Sequence, residues 1–298
     1  MTECVRTPEH RFKSLPDYDF TPNYVEVEGM RMHYVDEGQR DGEVVLLLHG
    51  EPSWSYLYRH MIPPLRDAGF RVIAPDLIGF GKSDKPVNKS DYSYAGHVGW
   101  MKAFIDSLDL SGINLFCQDW GSLIGLRVAA ENEERFDCIA LGNGALPTGE
   151  QLVPRAFKIW RAFALYSPWF PIGRVLQMGT VRDLGPDVIA AYDAPFPSSR
   201  YKAGARAFPK LVPIRPDDPA SDANRNAWEI YKRWTKPVLT TFSNRDPITR
   251  GGEKPWQDLV PGAQGQEHVI IRNAGHFLQE DEGPQIAEVL IRFIALDT

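Results

Sequence analysis

Three residues of this chain, Asp119, Asp246 and His276, could together carry out nucleophilic catalysis. Asp119 follows an apolar run of strand length and precedes a run whose apolar residues recur at helical spacing. Its neighbours two positions away, Cys117 and Gly121, are small, as a sharp turn between a strand and a helix requires. The pattern therefore predicts a carboxylate presented at a tight turn, and carboxylates can act as covalent nucleophiles.

The chemical type of the predicted nucleophile decides which bonds it could break. A serine that attacked a saturated carbon would form an ether, which a histidine-activated water could not hydrolyse. Asp119 would instead form an ester, and water could attack the carbonyl carbon of that ester to release an alcohol. The residue therefore predicts alkyl transfer from carbon to water. The competing interpretation is that Asp119 only caps a helix N-terminus, where carboxylates are favoured.

The other two residues follow the strands predicted at residues 237–242 and 268–271. A nucleophile, an acid and a histidine in this chain order, each after a strand, are typical of a hydrolytic triad on a mostly parallel sheet. His276 would deprotonate the attacking water, and Asp246 would orient the imidazole and stabilise its charged form. The alternatives are that Asp246, which precedes a proline, forms an ordinary turn and that His276 caps one.

Ester hydrolysis also needs donors for the carbonyl oxygen as it gains charge. Two backbone N–H groups are predicted to supply them, those of Trp120 and Glu51. Trp120 directly follows the nucleophile, and Glu51 lies in the turn after the strand predicted at residues 43–48. The side chain of His49 in the same turn is expected to be structural.

These residues require a sheet that gathers the ends of its strands at one edge. Strands and helices alternate through the first half of the chain, which predicts a doubly wound, mostly parallel sheet with helices on both faces. A hairpin is predicted at residues 24–35, further strands at 70–75, 113–118 and 138–141, and helices at 54–68 and 94–108. The last helix is expected to begin at Gly283-Pro284 and to bury Ile286, Val289, Leu290 and Phe293.

The alternation stops in the second half of the chain. Between residues 147 and 219 lie 11 of the 24 prolines, a density that breaks a segment into short helices and loops. We therefore expect residues 147–234 to form a helical cap over the carboxyl edge of the sheet, where ligands bind in open α/β folds. Residues 1–146 and 235–298 would form the core.

Composition and charge exclude several other classes of function. The net charge of −6 disfavours a nucleic-acid partner, which needs a basic surface. The three cysteines form no metal-binding or disulfide pattern, so no metal site is expected. Residues 1–20 lack the apolar segment of a signal peptide, and no run is long enough to span a bilayer. We expect a cytoplasmic protein without a membrane partner; its length is compatible with a monomer, but the sequence does not fix an oligomeric state.

Four motifs together resemble the haloalkane dehalogenases, members of the α/β-hydrolase superfamily whose sharp strand-to-helix turn is the nucleophile elbow. They are HGEPSWSY at 49–56, QDWG at 118–121, AYDAPF at 191–196 and NAGHF at 273–277. The resemblance extends over nearly the whole chain and is closest to the subgroup with a glutamate in the first motif. It implies hydrolysis of a small apolar halogenated substrate to alcohol, halide and proton, with no metal or organic cofactor.

The resemblance also implies a halide site that the triad alone could not indicate. In that family two donors hold the departing halide, one of them the Trp beside the nucleophile, here Trp120. The second would be a cap Trp, for which Trp160 is the first choice and Trp169 the second. Phe157 and Phe163 would line the apolar cavity. The alternative is that these residues, spaced three apart, only form the buried stripe of a helix: Phe157, Trp160, Phe163 and Tyr166.

The main rival is an epoxide hydrolase, which would use the same triad and two cap tyrosines as acids. Glu51 argues against it, although Tyr166, Tyr192, Tyr201 and Tyr231 lie in the predicted cap. A fluoroacetate dehalogenase would commonly carry an Arg where Trp120 stands. A non-catalytic receptor on the same fold would usually lack a member of the triad.

Overall fold

The computed structural model describes residues 2–296, and a twisted eight-stranded sheet organises them. The strands are β1 (Cys4–Val5), β2 (Asn23–Val27), β3 (Met30–Glu37), β4 (Val44–Leu48), β5 (Arg71–Pro75), β6 (Lys85–Pro86), β7 (Ile113–Asp119), β8 (Phe136–Gly144), β9 (Val238–Ser243) and β10 (Val269–Ile271). The order across the large sheet is β10-β9-β8-β7-β4-β5-β3-β2, while β1 and β6 form a separate pair.

Residues 2–296 form ten α-helices, which connect or cover these strands. They are α1 (Ile62–Asp67), α2 (Tyr94–Ser107), α3 (Trp120–Glu131), α4 (Arg155–Tyr166), α5 (Ile172–Met178), α6 (Gly185–Asp193), α7 (Ala203–Leu211), α8 (Ser221–Tyr231), α9 (Lys254–Leu259) and α10 (Leu278–Ala295). Strands β5, β4, β7, β8, β9 and β10 run parallel, whereas β3 pairs antiparallel with both β2 and β5. The α/β-hydrolase fold predicted from the sequence is therefore confirmed.

The centre of the sheet is buried on both faces. All five residues of β4 and the first six of β7 are buried or nearly so, because helices cover the sheet above and below. This explains why β4 has the continuous apolar sequence Val-Val-Leu-Leu-Leu instead of an alternating one. Parallel strands end at the same edge of a sheet. One edge, next to this buried centre, is therefore formed by the carboxyl ends of β4, β7, β8, β9 and β10.

Two predicted helices differ from the structure. The helix expected over residues 54–68 is divided into a 3-10 turn at Ser55–Tyr58 and α1, which begins at Ile62. Two prolines follow Ile62, and they suit the first turn of a new helix but cannot continue an earlier one. The last helix begins at Leu278, five residues before the expected start, and a non-helical residue, Glu282, interrupts it just before Gly283-Pro284.

The inserted helical cap is also confirmed. The described residues between 147 and 234 contain helices α4 to α8 and no strand. Strand β8 enters this segment and β9 leaves it, so the cap interrupts the sheet between two adjacent strands. The limits of the cap at residues 147 and 234 stay a prediction.

Candidate active site

The turn between β7 and α3 presents Asp119 at the carboxyl edge of the sheet. Asp119 adopts a φ of 50° and a ψ of −125°, a conformation that side-chain-bearing residues rarely adopt. A Cβ at Gly121 would lie 1.9 Å from the carbonyl oxygen of Leu48, and one at Gly50 would lie 2.4 Å from Cβ of Asp119. The turn therefore leaves no space for side chains at either glycine, which agrees with the sharp elbow predicted at Asp119.

The structure brings the three predicted triad residues together. Nε2 of His276 lies 3.3 Å from Oδ2 of Asp119, and Nδ1 lies 2.9 Å from Oδ2 of Asp246. Asp246 also accepts hydrogen bonds from the backbone N–H of Ile248 at 2.8 Å and of Thr249 at 3.2 Å. The imidazole thus has one nitrogen for orientation and the other facing Asp119, the arrangement needed of a general base.

Opposing effects set the protonation of this pair. Burial disfavours the imidazolium, but the negative charge of Asp246 and the hydrogen bonds with Asp119 and Asp246 prevail and raise the pKa of His276 to about 10. Burial likewise opposes ionisation of Asp246, yet the charge of His276 and the bonds that Asp246 accepts lower its pKa. With Asp119 ionised, His276 is therefore the imidazolium at neutral pH.

Glu51 belongs to the site through both its backbone N–H and its side-chain carboxyl. Its backbone N–H donates to Oδ1 of Asp119 at 2.7 Å, as predicted for an oxyanion donor. The other predicted donor is the backbone N–H of Trp120. In the described part of the chain it makes no hydrogen bond to the Asp119 side chain. Glu51 is 4% exposed, and its Oε1 has no hydrogen-bond partner among residues 2–296. Burial, followed by the charge of Asp119, raises its pKa well above the ordinary value.

Two amides that sequence reasoning missed hold the loop of His276. Nδ2 of Asn143, at the end of β8, donates to the carbonyl oxygens of Gly275 at 2.9 Å and His276 at 3.0 Å. Nε2 of Gln118 donates to the carbonyl oxygen of His276 at 3.1 Å and lies 3.3 Å from its Nε2. The only sign of Asn143 in the sequence was its position between two glycines at the end of a strand. Gln118 appeared there only as the first residue of the QDWG motif.

A cavity of about 540 Å³ lies between the sheet edge and the cap, within the range of small-molecule sites. Asp119, His276 and Glu51 are among its lining residues. The rest of the lining is mainly apolar and includes Leu123, Leu146, Phe157, Trp160, Val175 and Trp228. A substrate held there would be surrounded largely by hydrocarbon and aromatic groups, with the carboxylate of Asp119 at one end.

Trp120 and Trp160, the two tryptophans predicted to bind the halide, both line this cavity. The Trp120 ring packs 4.3 Å from that of Phe208 between centroids, and it is 3% exposed. Neither indole N–H donates to another residue in the described part of the chain, whereas that of Trp228 donates to the carbonyl oxygen of Leu146 at 2.8 Å. The cavity is thus lined by two tryptophans whose N–H groups have no partner among the described residues, and an indole N–H can donate to an anion.

Two aromatic residues proposed from the sequence do not reach the cavity. Phe163 is absent from the cavity lining, and its ring lies against Trp160 at 5.9 Å and Phe170 at 5.8 Å between centroids. Phe163 therefore packs against the ring of Trp160, which does line the cavity. Trp169, the second choice for the halide donor, is 67% exposed and is absent from the lining.

No tyrosine lines the cavity within residues 2–296. The hydroxyl of Tyr192 donates to Glu280, and that of Tyr231 donates to the carbonyl oxygen of Leu126 at 2.6 Å. Tyr166 is 81% exposed, and Tyr201 is half-buried outside the lining. The cap therefore lacks the pair of tyrosine acids that the epoxide hydrolase alternative requires.

Nowhere between residues 2 and 296 do three or more His, Cys, Asp or Glu side chains form a group that could hold a metal ion. Among the helices formed by those residues, none has the length and apolarity needed to cross a membrane.

Comparisons with known proteins agree with this geometry. Residues 43–283 match the family model of the alpha/beta hydrolase fold. Haloalkane dehalogenase of Psychrobacter cryohalolentis is 55% identical over 297 residues, 98% of each chain. Haloalkane dehalogenase of Mycobacterium marinum is 55% identical over 294 residues, 97% of this chain and 99% of the relative.

A solved structure gives the same result in three dimensions. The tetrameric haloalkane dehalogenase DpaA from Paraglaciecola agarilytica NO2 superposes with a TM-score of 0.88 at 38% sequence identity. The similarity covers 96% of this chain and 97% of that one. With its α/β-hydrolase fold, its elbow aspartate and relatives matched over nearly their full length, the chain belongs to the haloalkane dehalogenases.

Proposed function

We propose that this enzyme hydrolyses haloalkanes to an alcohol, a halide ion and a proton through a covalent ester of Asp119. The observation that carries the proposal is the position of Asp119. One of its carboxylate oxygens accepts from the Glu51 N–H at 2.7 Å, the other lies 3.3 Å from His276, and the carboxylate borders a mainly apolar cavity.

In the first step Oδ2 of Asp119 attacks the carbon that bears the halogen. The carbon–halogen bond breaks, its electron pair leaves with the halide, and an alkyl ester forms on Asp119. The free indole N–H groups of Trp120 and Trp160 receive the departing anion. Donors that already face the leaving group stabilise its charge without reorganisation, so they lower the barrier to departure.

In the second step water hydrolyses the ester. Nε2 of His276 takes a proton from water, and the water oxygen adds to Cγ of Asp119. The negative charge that develops on Oδ1 is held by the backbone N–H of Glu51, and the N–H of Trp120 is the second proposed donor. Collapse releases the alkoxide oxygen, which takes the proton from His276 and leaves as the alcohol. Asp119 regains its carboxylate by losing a proton to solvent.

Alkylation itself prepares His276 for this role. The ionised Asp119 carboxylate is one of the groups that raise the pKa of His276 to about 10. Once Asp119 is an ester, its charge no longer favours the imidazolium, so the pKa of His276 falls and the imidazole loses its proton more readily. The neutral imidazole can then act as the general base. Covalent modification of the nucleophile and activation of the base are thus coupled by electrostatics.

The test compares halide release from 1-bromobutane with diol formation from styrene oxide, using purified protein and Asp119→Asn as the control variant. We expect bromide from the wild type, none above background from Asp119→Asn, and no diol. Diol formation without bromide release would overturn the proposal in favour of an epoxide hydrolase.

A further inference from the structure

We infer that Asp281 is a positioning residue that fastens the His276 loop (residues 273–277) to a loop of the cap. The inference rests on the proposed function, because it concerns the step in which His276 acts. Asp281 lies in the interrupted start of α10, five residues after His276, and its side chain is half-buried. It does not contact the reacting atoms.

The carboxylate of Asp281 binds both loops at once. Oδ2 accepts from the backbone N–H of Gly275 at 2.8 Å, next to His276. Oδ1 accepts from the backbone N–H groups of Val181 and Arg182, both at 2.9 Å, in the loop between α5 and α6. A carboxylate that accepts from backbone donors forms comparatively strong, charge-assisted hydrogen bonds. One side chain therefore links two segments that are almost 100 residues apart.

A direct contact between the same loops accompanies this link. The backbone N–H of Phe277 donates to the carbonyl oxygen of Gly179 at 3.1 Å. A Cβ at Gly275 would lie 2.4 Å from that oxygen, and a Cβ at Gly179 would lie 2.6 Å from the Phe277 ring. The two backbones thus pack too closely for side chains between them. Any displacement of the cap loop is transmitted to the residues on either side of His276.

The residue before Asp281 anchors the start of α10. Glu280 is 1% exposed and accepts from Arg59, with Nη2 to Oε2 at 2.9 Å, and from the hydroxyl of Tyr192 in cap helix α6. Arg59 belongs to the sheet half of the molecule. Asp281 is therefore supported by a buried network and does not sit on a freely moving segment.

The cap loop bound by Asp281 borders the substrate cavity. Gly179, Thr180 and Val181 are lining residues, as are Gly275 and His276. The other supports of the His276 loop come from the sheet, through Asn143 and Gln118. Asp281 and the Gly179 carbonyl oxygen fasten it to the cap instead, so the position of the base depends on the position of the cavity wall.

This arrangement gives Asp281 a specific kinetic signature. Attack by Asp119 on the substrate needs no base, whereas hydrolysis of the ester needs His276 at hydrogen-bond distance from water. Releasing the loop should therefore slow the second step and spare the first. A merely structural residue would lower the amount of folded enzyme and reduce both steps in proportion.

The experiment measures the two steps separately by rapid quenching with 1-bromobutane, following bromide in the first turnover and the alkyl ester on Asp119 by peptide mass. The variants are Asp281→Asn, which lacks the charge and one acceptor oxygen, and Asp281→Ala. Glu288→Gln, an exposed change of the same kind on α10, is the matched control. Asp281→Glu tests whether a carboxylate restores the function.

We expect ester hydrolysis to slow by about 10- to 100-fold in Asp281→Asn and Asp281→Ala, as for a misplaced catalytic group. Ester should accumulate while its rate of formation stays unchanged, with partial recovery in Asp281→Glu and wild-type behaviour in Glu288→Gln. Equal slowing of both steps, or no change in either, would overturn the inference alone. Absence of ester from the wild type and from His276→Ala alike would overturn the proposed function, and this inference with it.

Discussion

The backbone N–H of Glu51 donates to Oδ1 of Asp119 at 2.7 Å, while Oδ2 of the same carboxylate faces His276 at 3.3 Å. The two oxygens are therefore distinguished before any substrate binds. Oδ1 already has the donor that a developing oxyanion needs, so we assign it as the oxygen that remains a carbonyl in the ester. Oδ2 is then the attacking atom. The following predictions depend on this assignment and on the groups around it.

The buried side chain of Glu51 should act as a neutral acid. Because burial and the charge of Asp119 raise its pKa well above the ordinary value, we expect the carboxyl to hold its proton to a higher pH than an exposed glutamate does. Glutamine has nearly the same shape and no charge, so Glu51→Gln should retain dehalogenation within a few-fold in steady-state assays near neutral pH. A loss comparable to that of Asp119→Asn would contradict the assignment, since it would mean that the enzyme needs an ionised Glu51.

Halide affinity should depend on the two cavity indoles. Trp120→Phe and Trp160→Phe each remove one N–H donor and keep an aromatic ring, so each should weaken bromide binding by about 10- to 150-fold, the equivalent of one hydrogen bond to a charged partner. Quenching of tryptophan fluorescence by titrated bromide measures the affinity. Trp169→Phe is the matched control, because Trp169 is exposed and lies outside the cavity. Unchanged affinity in Trp160→Phe would remove that residue from the halide site.

The pH dependence of stability should report the His276 imidazolium. Its pKa is about 10 in the folded protein, above the ordinary value of about 6.5. A raised pKa stabilises the fold fully below about pH 6.5, and this contribution is lost as the pH rises through about 10. The stability difference between wild type and His276→Gln, measured by urea unfolding, should shift against the wild type between about pH 7 and about pH 9.5. A pH-independent difference would contradict the raised pKa.

The elbow should not tolerate a methyl group at Gly121. The added Cβ would meet the backbone oxygen of Leu48 at 1.9 Å, and backbone cannot move aside as a flexible side chain can. Gly121→Ala should lower the free energy of unfolding by about 1–3 kcal/mol, as other overpacked sites do, and should reduce activity. Gly99→Ala in α2 is the control, because its Cβ would meet only Glu28 at 3.8 Å. Equal stability of the two variants would contradict the close approach at the elbow.

The proximity of Asp119, Asp246 and His276 could be predicted because each of them is marked by a local signal. Asp119 stands at a strand-to-helix turn between small residues, and Asp246 and His276 each follow a strand of the parallel sheet. Parallel strands bring their carboxyl ends to one edge, so positions far apart in the chain become neighbours. Fold class and triad geometry therefore followed from pattern and order alone.

The surroundings of some residues could not be predicted from the sequence, because they depend on contacts with distant parts of the chain. Phe157 and Phe163, six residues apart on α4, point about 120° away from each other around the helix. Phe157 lines the cavity, whereas Phe163 packs against the ring of Phe170 beyond the helix. Asn143 and Asp281 act by binding the backbone of distant segments. Every residue has a backbone carbonyl and almost every residue a backbone N–H, so contacts of a side chain with these groups cannot be recognised in the sequence.

The start of α1 was misjudged for a different reason. Apolar residues recur at suitable intervals through residues 54–68, but periodicity does not show where one helix ends and another begins. The two prolines after Ile62 were visible in the sequence and favour a helix start at that point. These two prolines, and not the apolar spacing, indicate the boundary between the 3-10 turn and α1.

The covalent ester is the central claim, and a single turnover in water enriched in heavy oxygen tests it most directly. Enzyme in excess over 1-bromobutane is reacted once, and the alcohol and the peptide containing Asp119 are analysed by mass spectrometry. Because water attacks Cγ of Asp119, the account predicts an alcohol with ordinary oxygen and heavy oxygen in the Asp119 carboxylate. Heavy oxygen in the alcohol and none in Asp119 would contradict it, because water would then have attacked the substrate directly.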